Sequence, residues 1–600
     1  MNIEETTGQP AQPTTIGRVR REHALALLIF AAVSLSLMFS PTYYVGLVAV
    51  AGVNSIVVLG LAFLLATGQL SLGHAAFLGL GAYTASLLTL KAGIPPLLAI
   101  PLSTALCAGI GWFLGKLTLG MKGHYLPLAT LAYGMAISTL FVAQIDLTGG
   151  ASGLTGIPAL RMFSVSLEAR GMATLIWVLV LLVFLAYRRI YRSRVGRIAR
   201  ALRSNSTMAS AFGADVAQVK TQVFVLSASV GGLAGSLYAY YMQFLSPSSF
   251  SLGASINLLI MTVLGGVAHP LGALLGVVFF NFLELGGQHV IANVLNLPGQ
   301  VESMLLGAVL IIALLRWPNG LLTWASVSSS YDAAQDDLPA SGKRDHERAK
   351  STLTAKGVTK RFGGLTALSE VDVSVPVGTI TGLIGPNGAG KSTLFNVMTG
   401  VFPATSGAVT ISGQPLPDKL RKVVSCGISR TFQHVQLVQE LDVLQNVLIG
   451  GYVRGNSGLL SAAIGTDRHE EREMVVEALA ALRRVGLREI ANTRVSELPL
   501  GSQRLVEIAR ALMTCPSILL LDEPAAGLRA PEKQRLSKLL QSLRDDDGMT
   551  VLIVEHDMEL VMGCADYLFV LNYGSLLAQG APEEVQRNPE VIRAYLGAEA

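Results

Sequence analysis

Three short stretches in the second half of this 600-residue chain combine residue types and spacings that suit phosphate chemistry. The apolar run Ile380–Ile384 ends in Gly385-Pro386-Asn387-Gly388-Ala389-Gly390-Lys391-Ser392 and continues into a helical pattern from Thr393. Gly385, Gly388 and Gly390 let consecutive backbone N–H groups turn inward around phosphate oxygens, and the helix that follows adds the positive end of its dipole. Asn387 lies within that loop, and Lys391 is spaced to reach the terminal phosphates of a nucleotide such as ATP. The Ser392 hydroxyl is spaced to ligate Mg²⁺, with Thr393 completing the set. A second apolar run, 518–521, ends in Asp522-Glu523-Pro524. On its own such an acidic pair is usually a helix-capping turn; beside a phosphate loop, Asp522 suits Mg²⁺, and Glu523 suits orienting and deprotonating an attacking water. A third run, Thr550–Val554, delivers Glu555-His556-Asp557. A histidine at a strand end is more often structural than catalytic, but here His556 would emerge on the same sheet edge, within reach of a γ-phosphate.

These stretches need a parallel sheet to hold them, because such sheets bind ligands at the C-terminal ends of their strands. From 351 onward, short β-type runs alternate with amphipathic helical patterns, which predicts one soluble α/β domain over 351–600. Residues 326–350 are polar, rich in Ser, Asp and Lys, and lack periodicity, as a flexible linker would. The four cysteines, Cys107, Cys426, Cys515 and Cys564, stand at neither metal nor disulfide-framework spacing.

The first half is of a different kind. Over the whole chain 51% of residues are hydrophobic and only 14% charged, which excludes both an ordinary soluble enzyme and a disordered chain. Ten apolar stretches of a length suited to crossing a bilayer centre on 24–39, 44–66, 70–90, 95–117, 125–145, 172–187, 221–242, 254–267, 271–290 and 304–322. This predicts a helical membrane bundle over 24–325 after an uncleaved cytoplasmic tail, 1–23. Ten spans put both termini on the cytoplasmic side. The net charge of +5 then belongs to cytoplasmic loops, where Arg188, Arg189, Arg192, Arg194, Arg197, Arg200 and Arg203 gather without an acid, and not to nucleic-acid binding. Gly68, Gly73, Gly265, Gly266 and Pro270 interrupt the spans, as half-helices along a path do, or as close helix packing does.

With these motifs in place, 353–597 closely resembles the ATPase of ABC transporters. By that resemblance Gln433, in Arg430-Thr431-Phe432-Gln433, senses Mg²⁺ and the attacking water. Phe362 stacks on adenine, and His556 is the family's switch histidine. The family's signature sequence corresponds to Leu498-Pro499-Leu500-Gly501-Ser502-Gln503-Arg504, whose Gly501 and Ser502 are expected to bind the γ-phosphate of ATP held by an opposite ATPase. Proline replaces the family's serine at Pro499, and Arg529 stands where the family has an aspartate. The resemblance thus implies asymmetry, with intact ATP-site residues in this chain and a weakened site in its partner.

The whole chain is similar to the branched-chain amino acid importers of the ABC class, with a LivM-like permease fused to a LivG-like ATPase. Carrying this are Gly52-Val53-Asn54, the run Thr67-Gly68-Gln69-Leu70-Ser71-Leu72-Gly73-His74, Gly123-His124-Tyr125, Thr148-Gly149-Gly150, and 227–238 in the first half. In the second half they are 430–434, 522–528, 555–562 and 591–597. An exporter of the same domain order would have six long helices, not ten short ones. The resemblance implies a bacterial inner-membrane protein whose cytoplasmic segment 196–216 carries a coupling helix, with Asn205, Ser206, Thr207, Met208 and Gly213 docking on the ATPase while the arginines hold the membrane face. The family often has an acid where Ser206, Thr207 and Met208 stand. Gln69, Ser71 and His74 are the candidates for a substrate path, and Glu284 reads as structural. The implied partners are a second permease, a second ATPase on a different chain, surrounding lipid and a periplasmic solute-binding protein that delivers a small molecule. The implied substrates are branched-chain or other hydrophobic amino acids, with urea, short amides and aromatic carboxylates as the alternatives.

Overall fold

The computed structural model describes residues 29–118, 125–162, 165–266, 269–293, 307–308, 311–313, 315–317, 320–322 and 351–596. The tail 1–23, Gly123 and His124, part of the stretch 304–322, the linker 326–350 and Gly597 lie outside the described residues. The chain divides into two compact units. One comprises 1–191 with 220–330, and the other 192–219 with 331–600. Residues 192–219, inside the stretch read as permease, therefore belong by their contacts with the ATPase.

The first unit is helical. Its helices are α1 (Ile29–Phe39), α2 (Thr42–Ala66), α3 (His74–Leu90), α4 (Pro96–Thr118), α5 (Tyr125–Ala143) and α6 (Ala169–Arg192). Beyond the docking helices α7 (Arg194–Ser204) and α8 (Ser206–Ala211), which belong to the second unit, follow α9 (Val216–Met242), α10 (Leu252–Gly265) and α11 (Pro270–Asn293). Among the described residues five of these, α2, α4, α5, α6 and α9, are long and apolar enough to cross a membrane, while α1, α3, α10 and the Pro270–Leu285 part of α11 are shorter apolar stretches. At 14 residues, α10 is roughly 21 Å long, short of the ~30 Å of hydrocarbon. Helix α2 is the centre of the bundle, with 72% of its apolar window buried, whereas α5 has 11% buried and turns Leu128, Met135 and Leu140 outward as a lipid-facing helix would. Close packing accounts for Gly265 of α10 and Gly276 of α11. A Cβ on Gly276 would stand 2.0 Å from the carbonyl oxygen of Met261, and one on Gly265 would stand 2.0 Å from that of Gly272. Backbones approach this closely only over residues without side chains.

The second unit is built on a six-stranded sheet of order β12-β11-β5-β10-β9-β8 and a four-stranded antiparallel sheet of order β4-β3-β6-β7. The central strands β5 (Ile380–Ile384), β10 (Thr550–Val554) and β9 (Ile518–Asp522) are buried along their whole length. They run parallel, as continuous apolar runs predict for strands covered on both faces. Beside them stand β8 (Ile428–Arg430), β11 (Tyr567–Asn572) and β12 (Ser575–Gly580), while β3 (Leu353–Phe362), β4 (Leu365–Val375), β6 (Ser406–Ile411) and β7 (Gln414–Pro415) form the smaller sheet. (The strand numbers β1 and β2 belong to a small hairpin of the first unit, Arg161–Met162 and Val165–Ser166.) The helices that matter below are α12 (Lys391–Met398), α13 (Leu420–Ser425), α14 (Val443–Gly450), α15 (Arg468–Arg484), α16 (Leu500–Leu512), α17 (Ala530–Asp545) and α18 (Met558–Cys564). Val447, Leu482, Val506, Leu519 and Val551 belong to one apolar core that joins this helical layer to the sheet.

Candidate nucleotide site and its docking segment

The register of the central strands decides where the chemistry gathers. Val554 at the end of β10 pairs with Leu383 on one side and Asp522 on the other. The phosphate loop after β5, the acids after β9 and the Glu555-His556 turn after β10 therefore leave one sheet edge side by side. The loop carries Gly385, Gly388 and Gly390 at φ of 149°, 82° and 98°. At Gly385 a Cβ would lie 2.2 Å from the carbonyl oxygen of Leu571, so only glycine fits. Lys391 opens α12 and donates to the carbonyls of Gly385 (2.7 Å) and Pro386 (3.0 Å). Burial pulls its ammonium below the usual lysine range, with Glu523 and Asp522 opposing. A cleft of about 500 Å³ is lined by Asn387, Gly388, Gly390, Lys391, Ser392 and Thr393 on one side and by Gln433 and Glu523 on another. Gln433 Nε2 donates to Glu523 Oε1 at 3.2 Å. Glu523 stands in the left-handed region at φ 46°, and its N–H donates to the Val554 carbonyl at 2.8 Å.

Asp522 is 3% exposed, and burial raises its carboxyl to about 6, with Arg430 opposing. Its Oδ1 is buried without a hydrogen-bond partner among the described residues. Asp522 is not among the residues lining the cleft, but its orphaned carboxylate oxygen, on the strand end that delivers Glu523 to that lining, joins the Ser392 hydroxyl and the Gln433 amide of the lining as an oxygen-donor set that fits Mg²⁺, a hard cation. Arg430 is pulled down to about 10 by its own burial. It lies between the rings of Phe395 and Phe432, 4.8 Å from each centroid, and donates to Asn396 Oδ1 and Thr399 Oγ1 of the phosphate-loop helix and the residue after it.

Not every predicted residue lies in the cleft. Phe362 is 47% exposed and packs edge-on against Phe402, outside the lining, whereas the aromatic ring that does line the cleft is Tyr573, 90% exposed in the β11–β12 turn. His556 is likewise exposed and outside the lining, 3.9 Å from Glu555. Glu555, which sequence reasoning passed over, is fully buried and accepts from the N–H groups of Ala525 (2.7 Å), His556 (3.1 Å) and Asp557 (3.4 Å). It ties the turn after the acids to the turn that carries His556; burial raises its carboxyl, with those N–H groups opposing. Gly501 and Ser502 lie in the first turn of α16 and are not among the residues lining this chain's own cleft. Pro499 precedes that helix without a side-chain cap.

Helix α16 also carries Arg504, Glu507 and Arg510 on one face. Arg504 donates to the carbonyls of Phe432 (2.8 Å) and Gln433. Glu507 accepts from the Gln436 N–H at 2.8 Å, and Arg510 donates to the Gln436 carbonyl at 2.7 Å. Burial pushes Glu507 up and Arg510 down to about 10, each restrained by the other's charge. The signature helix thus grips the loop that carries Gln433 at four points.

The same loop meets the docking segment. Asn205 Nδ2 donates to Gln436 Oε1 at 3.1 Å, while Asn205 Oδ1 caps α8 by accepting from Thr207 and Met208. Met208 is buried, Ser206 and Thr207 are exposed, the Phe212 ring lies under the Arg510 guanidinium at 4.9 Å, and Gly213 sits where a Cβ would stand 2.8 Å from Val453. The arginines correct the sequence reading. Arg194 and Arg197, 9% and 3% exposed, face the ATPase and not a membrane surface. The Arg194 N–H and the Arg197 guanidinium both donate to Glu471 of α15, at 2.6 and 2.8 Å. Arg194 also donates to the carbonyls of Tyr452 (2.9 Å) and Ser457 (2.7 Å). Burial lowers its guanidinium, with Tyr452, Glu470 and Glu471 opposing. Asp215 and Arg421 of α13 add an ion pair at 2.7 Å. The acid missing at 206–208 is thus answered from neighbouring positions.

Comparison with known proteins fits both units. The permease component of branched-chain amino acid transport systems matches residues 43–314, the ABC transporter ATPase matches 368–526, and the branched-chain amino acid ATP-binding cassette transporter matches 575–600. LivG of Salmonella typhimurium, a high-affinity branched-chain amino acid transport ATP-binding protein, is 44% identical over 248 residues, 41% of this chain and 97% of that protein. The chain belongs to the branched-chain amino acid ABC transporter family. BraF of Pseudomonas aeruginosa, with the same description, is 42% identical over 254 residues, 42% of this chain and 99% of BraF. A nucleotide-free ATP-binding cassette from an ABC transporter is 36% identical over 41% of this chain and 99% of its own, with a TM-score of 0.37. In this family member permease and ATPase share one polypeptide, and its nucleotide-binding ATPase couples ATP hydrolysis to transport in company with other transporter subunits. The two relatives consist almost wholly of the ATPase, so here the docking segment and the cassette it docks on are parts of a single chain.

Gln69, Ser71 and His74, the expected substrate path, are all buried and hydrogen-bonded, while Gln69 Oε1 has no hydrogen-bond partner among the described residues. Gln69 Nε2 donates to the Lys220 carbonyl at 3.2 Å. The two ring nitrogens of His74 meet the hydroxyls of Ser71 (2.9 Å) and Ser227 (2.6 Å), which ties α3 to α9.

Proposed function

We propose that this chain is the permease-plus-ATPase half of an importer for branched-chain or related hydrophobic amino acids. A second permease and a second ATPase on a different chain complete it, and a separate periplasmic solute-binding protein feeds it. It sits in the bacterial inner membrane with its ATPase on the cytoplasmic side. The observation that carries this reading is the junction in the second unit: Gln433 lines the ATP cleft, and three residues along the same loop Gln436 bonds to Asn205 of the docking segment. Occupation of the cleft is thereby in mechanical contact with a segment continuous with two permease helices, α6 and α9.

In this mechanism the loop amides of 385–390 and Lys391 hold the phosphates of ATP, and Glu523 orients and deprotonates the attacking water. Gln433, bonded to Glu523, registers whether that water and the terminal phosphate are in place. Ser392, Gln433 and Asp522 would hold Mg²⁺, which when bound would neutralise charge developing on the phosphates. His556, on a turn pinned by Glu555, approaches the γ-phosphate when the two ATPases close, and Phe362 stacks on adenine. Gly501 and Ser502 present the N-terminus of α16 to the partner's ATP. Because Pro499 offers no hydroxyl there, the partner's site hydrolyses more slowly than this chain's own. Closure moves α16 and the 433–436 loop together, and the docking segment carries that motion to the permease.

Uptake of leucine into proteoliposomes containing the full transporter, with and without a leucine-binding periplasmic protein, tests the import reading. Binding-protein-stimulated ATPase activity with inward accumulation is expected; efflux, or stimulation without accumulation, overturns it.

A further inference from the structure

The permease unit contains a second cleft, of about 390 Å³, walled by α2, α10 and α11 with contributions from α3, α9 and the loop before α10. Helices α2, α10 and α11 pack against one another, and each gives the cleft one face. From α2 come Tyr43, Leu47, Val50 and Asn54, spaced by whole turns; from α10 come Asn257, Leu258 and Met261; and from α11 come Phe280, Asn281 and Glu284. The volume lies at the lower end of the ~300 to 1,000 Å³ typical of small-molecule sites, which suits one small solute.

The distribution of polar groups is the informative feature. Asn54 is the only amide or charged side chain of α2, Asn257 is the only one of α10, and Glu284 is the only acid between Leu252 and Asn293, a stretch without lysine or arginine. All three, with Asn281, meet in this one cleft. A carboxyl group in an apolar membrane helix is costly, and such residues mark solute pathways. Asn281 Nδ2 is buried without a hydrogen-bond partner among the described residues. The rest of the lining includes the apolar side chains of Leu47, Val50, Val53, Leu78, Met261 and Phe280. The cleft thus combines a carboxyl group and amide donors with branched-aliphatic and aromatic walls.

Resting on the import reading above, we propose that this cleft is a solute site within the permease for a zwitterionic amino acid with an apolar side chain. Glu284 takes the α-ammonium, the asparagine amides and the Tyr43 or Tyr238 hydroxyl take the α-carboxylate, and the side chain lies against Val53, Leu78 and Phe280. Selection then occurs twice, once in the binding protein and again inside the membrane.

The test uses the assembled transporter in lipid nanodiscs without the binding protein and measures tritiated leucine binding. Competitors are 4-methylpentanoate, which lacks the ammonium, and 3-methylbutylamine, which lacks the carboxylate. Saturable leucine binding is expected, with both competitors weaker by about tenfold or more, as for loss of a charged hydrogen bond. Glu284→Gln should weaken leucine by a similar factor and remove its advantage over 4-methylpentanoate, while basal ATPase activity and assembly persist. Asn257→Ala and the cavity-filling Val53→Phe carry the same expected loss if Glu284→Gln fails to assemble. Unchanged leucine binding and uptake in these variants would overturn the site and leave the import reading intact, as would release of a tightly held phospholipid in place of leucine. A wild-type transporter that accumulates no apolar amino acid even with its binding protein overturns the import reading itself.

Discussion

The ATP cleft and the docking segment lie in the same unit and position their groups by opposite means. In the cleft the backbone does the placing. Glycines at positive φ turn N–H groups inward, parallel strand ends align the acids in register, and Glu523 itself takes a left-handed conformation. The docking segment is held by side chains, with Arg194 and Arg197 on Glu471, Asn205 on Gln436, and Phe212 under Arg510. Backbone placement demands fixed residue types at fixed spacings. Side-chain placement accepts any pair of complementary groups that reach each other, so it leaves no motif.

The largest effect that would sharpen this contrast is expected at Glu523. Glu523→Gln should lower ATP turnover by roughly 10²- to 10⁴-fold, the usual contribution of a general base, with ATP binding retained. Steady-state hydrolysis beside nucleotide binding checks it, and turnover within tenfold of wild type would remove Glu523 from its role. Next comes Glu471→Ala, which strips the shared acceptor from Arg194 and Arg197. Leaving Arg197 buried and unpaired should cost about 3 kcal/mol of docking. Uptake should fall further than ATP hydrolysis, and equal losses in both would show that the segment does not transmit. Asp522→Asn should act in the opposite direction on stability. Since burial raises this carboxyl from 3.8 to about 6, the folded state binds more protons than the unfolded one between those values. Stability therefore falls as pH rises through that window, and at pH 7 the ionised group costs roughly 3 kcal/mol or less. Asp522→Asn should raise the nucleotide-free melting temperature and flatten its pH dependence, yet abolish the extra stabilisation that Mg²⁺ adds to ATP. A lower melting temperature would contradict the burial cost assigned to the ionised Asp522 carboxylate. The smallest effect is expected at Arg203, whose partner Glu440 lies 3.3 Å away with both side chains nearly half exposed. Arg203→Ala should change stability and uptake by less than about 1 kcal/mol; a loss like that of Glu471→Ala would erase the distinction between buried anchors and rim.

The same division explains what could be read without the fold. The phosphate loop, Asp522 and Glu523 were legible from residue type and spacing, whereas Gln433 was found only through the family resemblance; the strand register brings the loop and the two acids to one edge, and Gln433 lines the same cleft as Glu523. Arg194 and Arg197 did not. A basic run after an apolar helix looks the same whether it faces lipid headgroups or an acid, and their acceptor Glu471 is 277 and 274 residues further along. Glu555 was visible but read as part of a histidine turn, since nothing local says that three N–H groups close on it. Tyr573 escaped because a tyrosine-glycine turn between strands is ordinary until the turn is seen at the cleft. In α16 the spacing of Arg504, Glu507 and Arg510 at every third residue, amid apolar neighbours, was the available signal for a buried charged stripe. Hydropathy located the permease helices well, but the meeting of Asn54, Asn257 and Glu284 depends on which helices are neighbours, a property no single stretch contains.

Continuity of the docking segment with its cassette also changes the arithmetic of assembly. Between separate subunits a docking contact must survive at their dilute cellular concentrations, whereas within one chain the partners meet at an effective concentration of order millimolar. An interface built from a few ion pairs and one stacked phenylalanine then stays occupied even if its intrinsic affinity is modest. It can loosen and re-form in every cycle without losing its ATPase to exchange. Translation itself sets the ratio of this permease to this ATPase at one to one.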